Sequence, residues 1–301
     1  DDGPSDAAVI RPLGAQGRTA LAIGAGINPE YGKLDAYAMA LSVIDEAIRN
    51  VVAVGADPER VAILDNFCWG DPRRPETLGT LVEAARGCYD GALLFRTPFI
   101  SGKDSLNNEY LGADGQRHAI PPTLLISSLG IMADVGAAVT MDLKAVGTLL
   151  DLVGDFRPAL GGSHWTLVTG VETGEGPPTL SERTPDIYRS LHRAIAAGLV
   201  RACHDLSEGG LAVATAEMCI AGRLGMTVEL GRAGRGFDVS GSTELAEVSA
   251  ERARGEHLLF GETNGCLLVE VTPANAAAFE QTLAGMPVQR LGVVDAEPVL
   301  T

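Results

Sequence analysis

The sequence predicts an α+β chain of two domains, residues 1–146 and 147–301. Three observations predict it. Short apolar runs of strand length alternate with segments whose apolar residues recur at helical spacing. The pattern restarts near Gly147. The length of 301 residues suits one large domain or two ordinary ones, and no short-period repeat or low-complexity tract interrupts it.

In order, residues 9–11 and 19–24 read as short strands around a turn at 14–17. Residues 36–54 give a helix, with Met39, Val43, Ile44, Ala47, Ile48 and Val51 on its apolar face and Gly55 as its stop. Strand 60–65, helix 75–87, strand 92–100 and a buried strand at 123–132 complete the first domain. The strand at 92–100 runs into a Ser101-Gly-Lys-Asp-Ser105 loop. After Gly147 come strand 149–153, a turn at 160–163, helix 185–198, a strand ending at Asp205, helix 211–220, strands 227–230 and 267–271, and helix 274–284. Residues 232–242 are Gly-rich and polar and read as a loop.

The net charge is −16 and the pI near 4.7. Nucleic acid and anionic membrane surfaces require a basic face, so neither is an expected partner. An anionic nucleotide is compatible, because a cation can bridge phosphates to carboxylates. No apolar run approaches the ~20 residues of a bilayer span. The polar start, Asp1 to Asp6, is not a signal peptide, and the absence of an initiator Met points to processing or to a longer parent. Five cysteines without a CxxC pair argue against a disulfide framework or structural zinc and for a reducing cytoplasm. Cys68 reads as a small buried hydrophobe.

Four segments carry candidate chemistry. Glu46 and Asn50 share a helix face, and with Asp6 they offer the oxygen donors that Mg²⁺ prefers; the alternative is a solvated face. Asp65-Asn66 ends a strand before a Gly/Pro turn, where ligands gather, although either residue equally caps a turn. In Ser101-Gly102-Lys103-Asp104-Ser105, Gly102 lets backbone N–H groups approach phosphate, but the spacing is not that of a Walker loop and a solvated Lys explains it as well. In His204-Asp205-Leu206-Ser207-Glu208-Gly209-Gly210, Asp205 can take a metal and the helix entry an anion; alternatively Ser207 caps the helix and His204 is structural.

Taken together, these segments resemble phosphoribosylformylglycinamidine synthase. The resemblance rests on Ser5-Asp-Ala-Ala-Val9, Asn28-Pro-Glu-Tyr-Gly32, Glu46-Ala-Ile-Arg-Asn50, Asp65-Asn-Phe-Cys-Trp-Gly70, Ser101 to Glu109, Pro121 to Ser127, Leu160-Gly-Gly-Ser163 and His204 to Gly210. It covers nearly the whole chain, in order, and is to the second of that enzyme's two internal repeats. It implies an aminoimidazole-ribonucleotide-synthetase-like two-domain fold. The amino-terminal sheet domain pairs into a barrel-like pseudo-dimer, and the carboxy-terminal α/β domain is smaller. It also implies a cytoplasmic, ATP-dependent C–N ligase of purine biosynthesis. That enzyme converts formylglycinamide ribonucleotide, ATP and glutamine-derived ammonia to formylglycinamidine ribonucleotide, ADP and phosphate.

By the same resemblance, Asp65 and Gly102 contact ATP and Ser105 contacts substrate. Asp6, Glu46, Asn50 and Asp205 hold Mg²⁺ at an auxiliary nucleotide site, where Ser207 contacts the ATP or ADP. The family's small, separate-subunit form is expected to have Asn-Val where this chain has Lys103-Asp104, and an ammonium cannot ligate a metal. The family's catalytic histidines belong to the first repeat, and no counterpart is visible, so no catalytic residue is assigned here. The implied partners are that first repeat and a glutaminase domain or subunit. A second copy can stand in for the repeat, giving a homodimer. The competing expectations are another ATP-dependent member of the superfamily (aminoimidazole ribonucleotide synthetase, selenophosphate synthetase or thiamine-phosphate kinase) and a non-catalytic nucleotide-binding assembly module.

Overall fold

A computed structural model of the protein describes residues 5–233 and 247–301. In chain order the first half contains β1 (Ala8–Ile10), β2 (Ala20–Ile27), α1 (Pro29–Leu34), α2 (Ala36–Ala53), β3 (Val61–Trp69), α3 (Pro75–Phe95), β4 (Phe99–Leu106), the hairpin strands β5 (Glu109–Leu111) and β6 (Arg117–Ala119), and β7 (Thr123–Met132). Five of these strands form a sheet in the order β1-β2-β7-β3-β4. The second half contains β8 (Leu149–Val153), α4 (His164–Thr169), α5 (Thr184–Ala196), β9 (Val200–Asp205), α6 (Gly210–Gly222), β10 (Gly225–Val228), α7 (Leu230–Ala233), α8 (Glu247–Phe260), β11 (Leu267–Val271), α9 (Ala276–Thr282) and β12 (Val288–Asp295). Its sheet runs β10-β12-β8-β11-β9 and is antiparallel. No helix among the described residues is long and apolar enough to cross a membrane.

Helix α2 organises the first half. Asp35 caps it by accepting from the Ala38 N–H at 2.9 Å. Its apolar face, including Met39, Val43, Ile44, Ala47 and Val51, is fully buried. The sheet approaches closely because β2 presents Gly24 and Gly26 to the helix; a Cβ on Gly24 would lie 2.9 Å from the Ala47 carbonyl oxygen. The opposite sheet face carries the register pairs Leu21–Ile131, Ile23–Leu129 and Ile27–Leu125, and Ile23 and Ile27 each remain 41% exposed. One apolar core runs from α2 into the second half through Ile187, Tyr188, Leu191 and Cys203.

The connection between the halves is fastened by Glu270 of β11, which is fully buried. Its carboxylate accepts from the Lys144 N–H at 2.8 Å, the Ala145 N–H at 3.2 Å and the Thr148 hydroxyl at 2.6 Å. Glu270→Ala takes the acceptor from two part-buried N–H groups and a buried hydroxyl, so a stability loss of about 2–3 kcal/mol is expected. Denaturant unfolding checks it, and a variant within ~0.5 kcal/mol of wild type would show that the connection does not depend on this carboxylate.

The expected strand at 92–100 is corrected. Helix α3 continues to Phe95, ends with Arg96 in the left-handed region (φ 55°), and β4 starts only at Phe99. Two glycines hid this continuation. Gly87 and Gly91 lie inside the helix because α2 packs against them; a Cβ on Gly87 would meet the Tyr37 carbonyl oxygen at 2.6 Å. Ser101 to Ser105 therefore forms part of an edge strand rather than a loop. Strand β12, hairpin β5–β6 and helices α1, α4 and α8 were not expected from the sequence pattern. The polar stretch expected at 232–242 begins within α7, and from residue 234 it lies outside the described residues.

Candidate metal and nucleotide site

The turn of α2 from Asp45 to Asn50 delivers side chains in two pairs at i,i+4 spacing. Glu46 and Asn50 form the first. Glu46 Oε2 accepts from the Ile27 N–H at 3.0 Å, and the Asn50 amide donates to the Ala25 carbonyl at 2.8 Å. Asp6 lies two residues before β1. The Asn50 Oδ1 and Asp6 Oδ2 atoms are both buried with no hydrogen-bond partner. Buried acceptors of this kind ordinarily find a donor or a cation.

Asp6 meets the second half directly. Its Oδ1 lies 2.6 Å from His204 Nδ1, and His204 Nε2 lies 2.9 Å from Glu217. Asp6, His204 and Asp205 each offer a ligand atom within 4.8 Å of the others. Ser207 Oγ stands 3.5 Å from Asp205 Oδ1. Burial, and then the Glu208 charge, push the Glu46 carboxyl well above its ordinary value. Burial raises Asp6 and Glu208 as well. The two carboxylate partners lift His204 to about 10 against its burial. The cluster carries more carboxylates than its cations neutralise, which is the electrostatic setting of a divalent metal site.

Three contributors escaped the sequence reading. Asp45 and Arg49 make the second pair on α2, with Asp45 Oδ2 2.5 Å from Arg49. Glu262, 1% exposed, accepts from the Tyr31 hydroxyl at 2.5 Å, His164 N–H at 2.8 Å and Gly209 N–H at 3.1 Å. It thereby joins α1, the Gly161-Gly162 turn and the entry of α6. Tyr31, Glu46, Ser207, Glu208 and Glu262 line a cavity of about 20 Å³, room for one water or ion. Tyr31 packs against Gly162 beside a larger groove of about 500 Å³ between α1 and residues 161–175, a volume that suits a small organic ligand.

The other expected residues lie elsewhere. Asp65 and Gly102 are register neighbours on the parallel strands β3 and β4, as are Cys68 and Ser105. The Asp65 carboxyl folds over Gly102, where a Cβ would fall 2.8 Å from its Cγ. Partial burial, and then the Asp104 charge, push Asp65 up. Lys103 Nζ donates to Ser105 Oγ. This group sits toward edge strand β4, whereas Asp6 precedes the opposite edge strand β1. Asp65 and Gly102 are thus brought together, and Ser207 stands beside Asp205.

Fold and site together define the class: residues 4–132 and 145–301 match the N-terminal and C-terminal domain models of AIR synthase related protein, and the chain belongs to that family. Over nearly its full length it is similar to the phosphoribosylformylglycinamidine synthase subunit PurL. With that of Deinococcus radiodurans it is 36% identical over 305 residues, 99% of this chain and 38% of the relative. With that of Methanocaldococcus jannaschii it is 33% identical, covering 90% of this chain and 35% of the relative. The chain thus spans under two fifths of the curated relatives it matches. Among solved structures, Thermotoga maritima PurL complexed with FGAR superposes at a TM-score of 0.73, with 17% identity and coverage of 99% of this chain and 45% of that one. The same protein complexed with ADP gives 0.70. At such identity these structures speak to the fold, which is the synthetase-like fold that the motifs implied.

Proposed function

We propose that this chain is part of a phosphoribosylformylglycinamidine synthase and contributes an auxiliary magnesium–nucleotide site and half of the cleft for ATP and formylglycinamide ribonucleotide. The observation that carries the metal site is the pair of buried, unpartnered oxygens, Asp6 Oδ2 and Asn50 Oδ1, within a surplus of carboxylates. Asp6, Glu46, Asn50 and Asp205 are all oxygen donors, as Mg²⁺ requires, and they leave coordination positions for phosphate. Bound there, Mg²⁺ would neutralise polyphosphate charge, while Ser207 donates to a phosphate oxygen. With the division placed at 146/147, Asp205 and Ser207 come from one domain and Asp6, Glu46 and Asn50 from the other, so the site would join the two.

Asp65 and Gly102 are assigned to ATP and Ser105 to substrate at the β3–β4 edge. The open apolar sheet face is assigned to the parent's first repeat, since leaving it in water is unfavourable. A glutaminase domain or subunit supplies ammonia, and the cytoplasm is the site of action. The relatives' names support the activity, and the chain's coverage of 38% of the first of them supports its being one portion of that enzyme. Calorimetry with ADP tests the nucleotide site: measurable affinity with Mg²⁺ and loss of it in chelator are expected, and equal affinity in both would contradict the assignment.

The sheet face carries its own expectation. Without the first repeat, the isolated chain forms a homodimer through Leu21, Ile23, Ile27, Leu125, Leu129 and Ile131. Light scattering should report a dimer for wild type and a monomer for Ile23→Glu. A wild-type monomer at every concentration contradicts it.

A further inference from the structure

Asp205 is held from behind. Its Oδ2 accepts from Arg49 Nε at 3.1 Å, while its Oδ1 faces Ser207 and His204. Arg49, 2% exposed, is a guanidinium sealed in the core. Its Nη1 reaches Asp45 Oδ2 at 2.5 Å, and Asp45 is anchored in turn by the Tyr188 hydroxyl at 2.6 Å and the Gly265 N–H at 2.8 Å. The chain of contacts crosses from α2 to α5, β9 and the turn before β11, with Asp45, Asp205 and Tyr188 all buried. A buried ion pair of this kind is weak evidence for stability alone, because desolvation offsets its attraction. Its geometry, however, leaves one particular oxygen of Asp205 facing the cluster that also contains Asp6.

We infer that Arg49 is a positioning residue for the metal site, presenting Asp205 Oδ1 to the cation while Asp45 holds the guanidinium, with Tyr188 bracing Asp45 for stability rather than for the position of Asp205. The inference rests on the magnesium reading of the same cluster. Arg49 does not touch the cation; it acts through Asp205, and it couples the site to the packing of the two halves. Removing an outer partner of a metal ligand typically lowers metal affinity by roughly 10- to 100-fold.

The test is Mn²⁺ binding to the full chain, read from the electron-paramagnetic signal of free Mn²⁺, alongside thermal unfolding. Arg49→Lys keeps the charge and loses the planar fork. Tyr188→Phe loosens the same chain of contacts without touching Asp205. The expected result is a fall in Mn²⁺ affinity of about ten-fold or more for Arg49→Lys, with Tyr188→Phe lowering the melting temperature but keeping affinity within about two-fold. Unchanged Mn²⁺ affinity in Arg49→Lys overturns the inference, and so does a parallel loss in both variants, which would mark Arg49 as merely structural. Where Arg49→Lys fails to fold, the charge-balanced Asp45→Asn/Arg49→Gln pair is read by the same criteria. A wild-type chain that takes up no Mn²⁺ overturns the metal reading itself, and the positioning role with it.

Discussion

Glu46→Ala is expected to lower the affinity of the chain for Mg–ADP by about a hundred-fold. Losing an outer partner of a ligand already costs up to roughly that factor, and Glu46 is assigned to the cation itself. The wild-type carboxyl is desolvated and lies beside Glu208 and Asp205, so without a cation its pKa is pushed well above the usual carboxylate range. That arrangement costs free energy in the metal-free protein and is relieved when a divalent ion shares the charge. The variant should therefore gain less thermal stability from Mg²⁺ than wild type does. Calorimetry and thermal unfolding with and without Mg²⁺ measure both effects. Equal Mg–ADP affinity in the two proteins would remove Glu46 from the site.

The second large effect concerns turnover. The chain alone, given ATP, formylglycinamide ribonucleotide and ammonia, is expected to run at less than about a thousandth of the rate of an intact parent enzyme. A positioned general acid or base contributes roughly 10²- to 10⁴-fold. Two of the five histidines are occupied otherwise: His204 lies between Asp6 and Glu217, and His164 is held by Glu262. Adding the first repeat should restore activity. Ammonia-dependent turnover by the isolated chain near that of an intact enzyme would mean that the catalytic residues have been misplaced.

The local pairs were legible: Glu46 and Asn50 sit one helical turn apart, and Asp205 and Ser207 lie two residues apart at a strand end, whereas joining these pairs with Asp6 into one site rested on the family resemblance. Asp45 and Arg49 have the same spacing and were passed over, since their meaning lies in partners far along the chain: Arg49 meets Asp205 across 156 positions. Glu262 was invisible for the same reason, its partner Tyr31 lying 231 positions away. The fold was legible wherever periodicity was strong, as in α2 and β7. It was misread where glycines interrupt a helix, as in α3, and missed in β12, where Gly292 and a register shift break the strand pattern.

The most direct measurement is a crystal structure of the chain with Mn²⁺ and ADP, the ion located by its anomalous scattering. The account predicts the ion among Asp6 Oδ2, Glu46, Asn50 Oδ1 and Asp205 Oδ1, with phosphate oxygens completing its shell and Ser207 at the phosphates. An ion bound instead at the Asp65–Gly102 edge, or ADP bound with the Asp6–Asp205 cluster unchanged and metal-free, would contradict it.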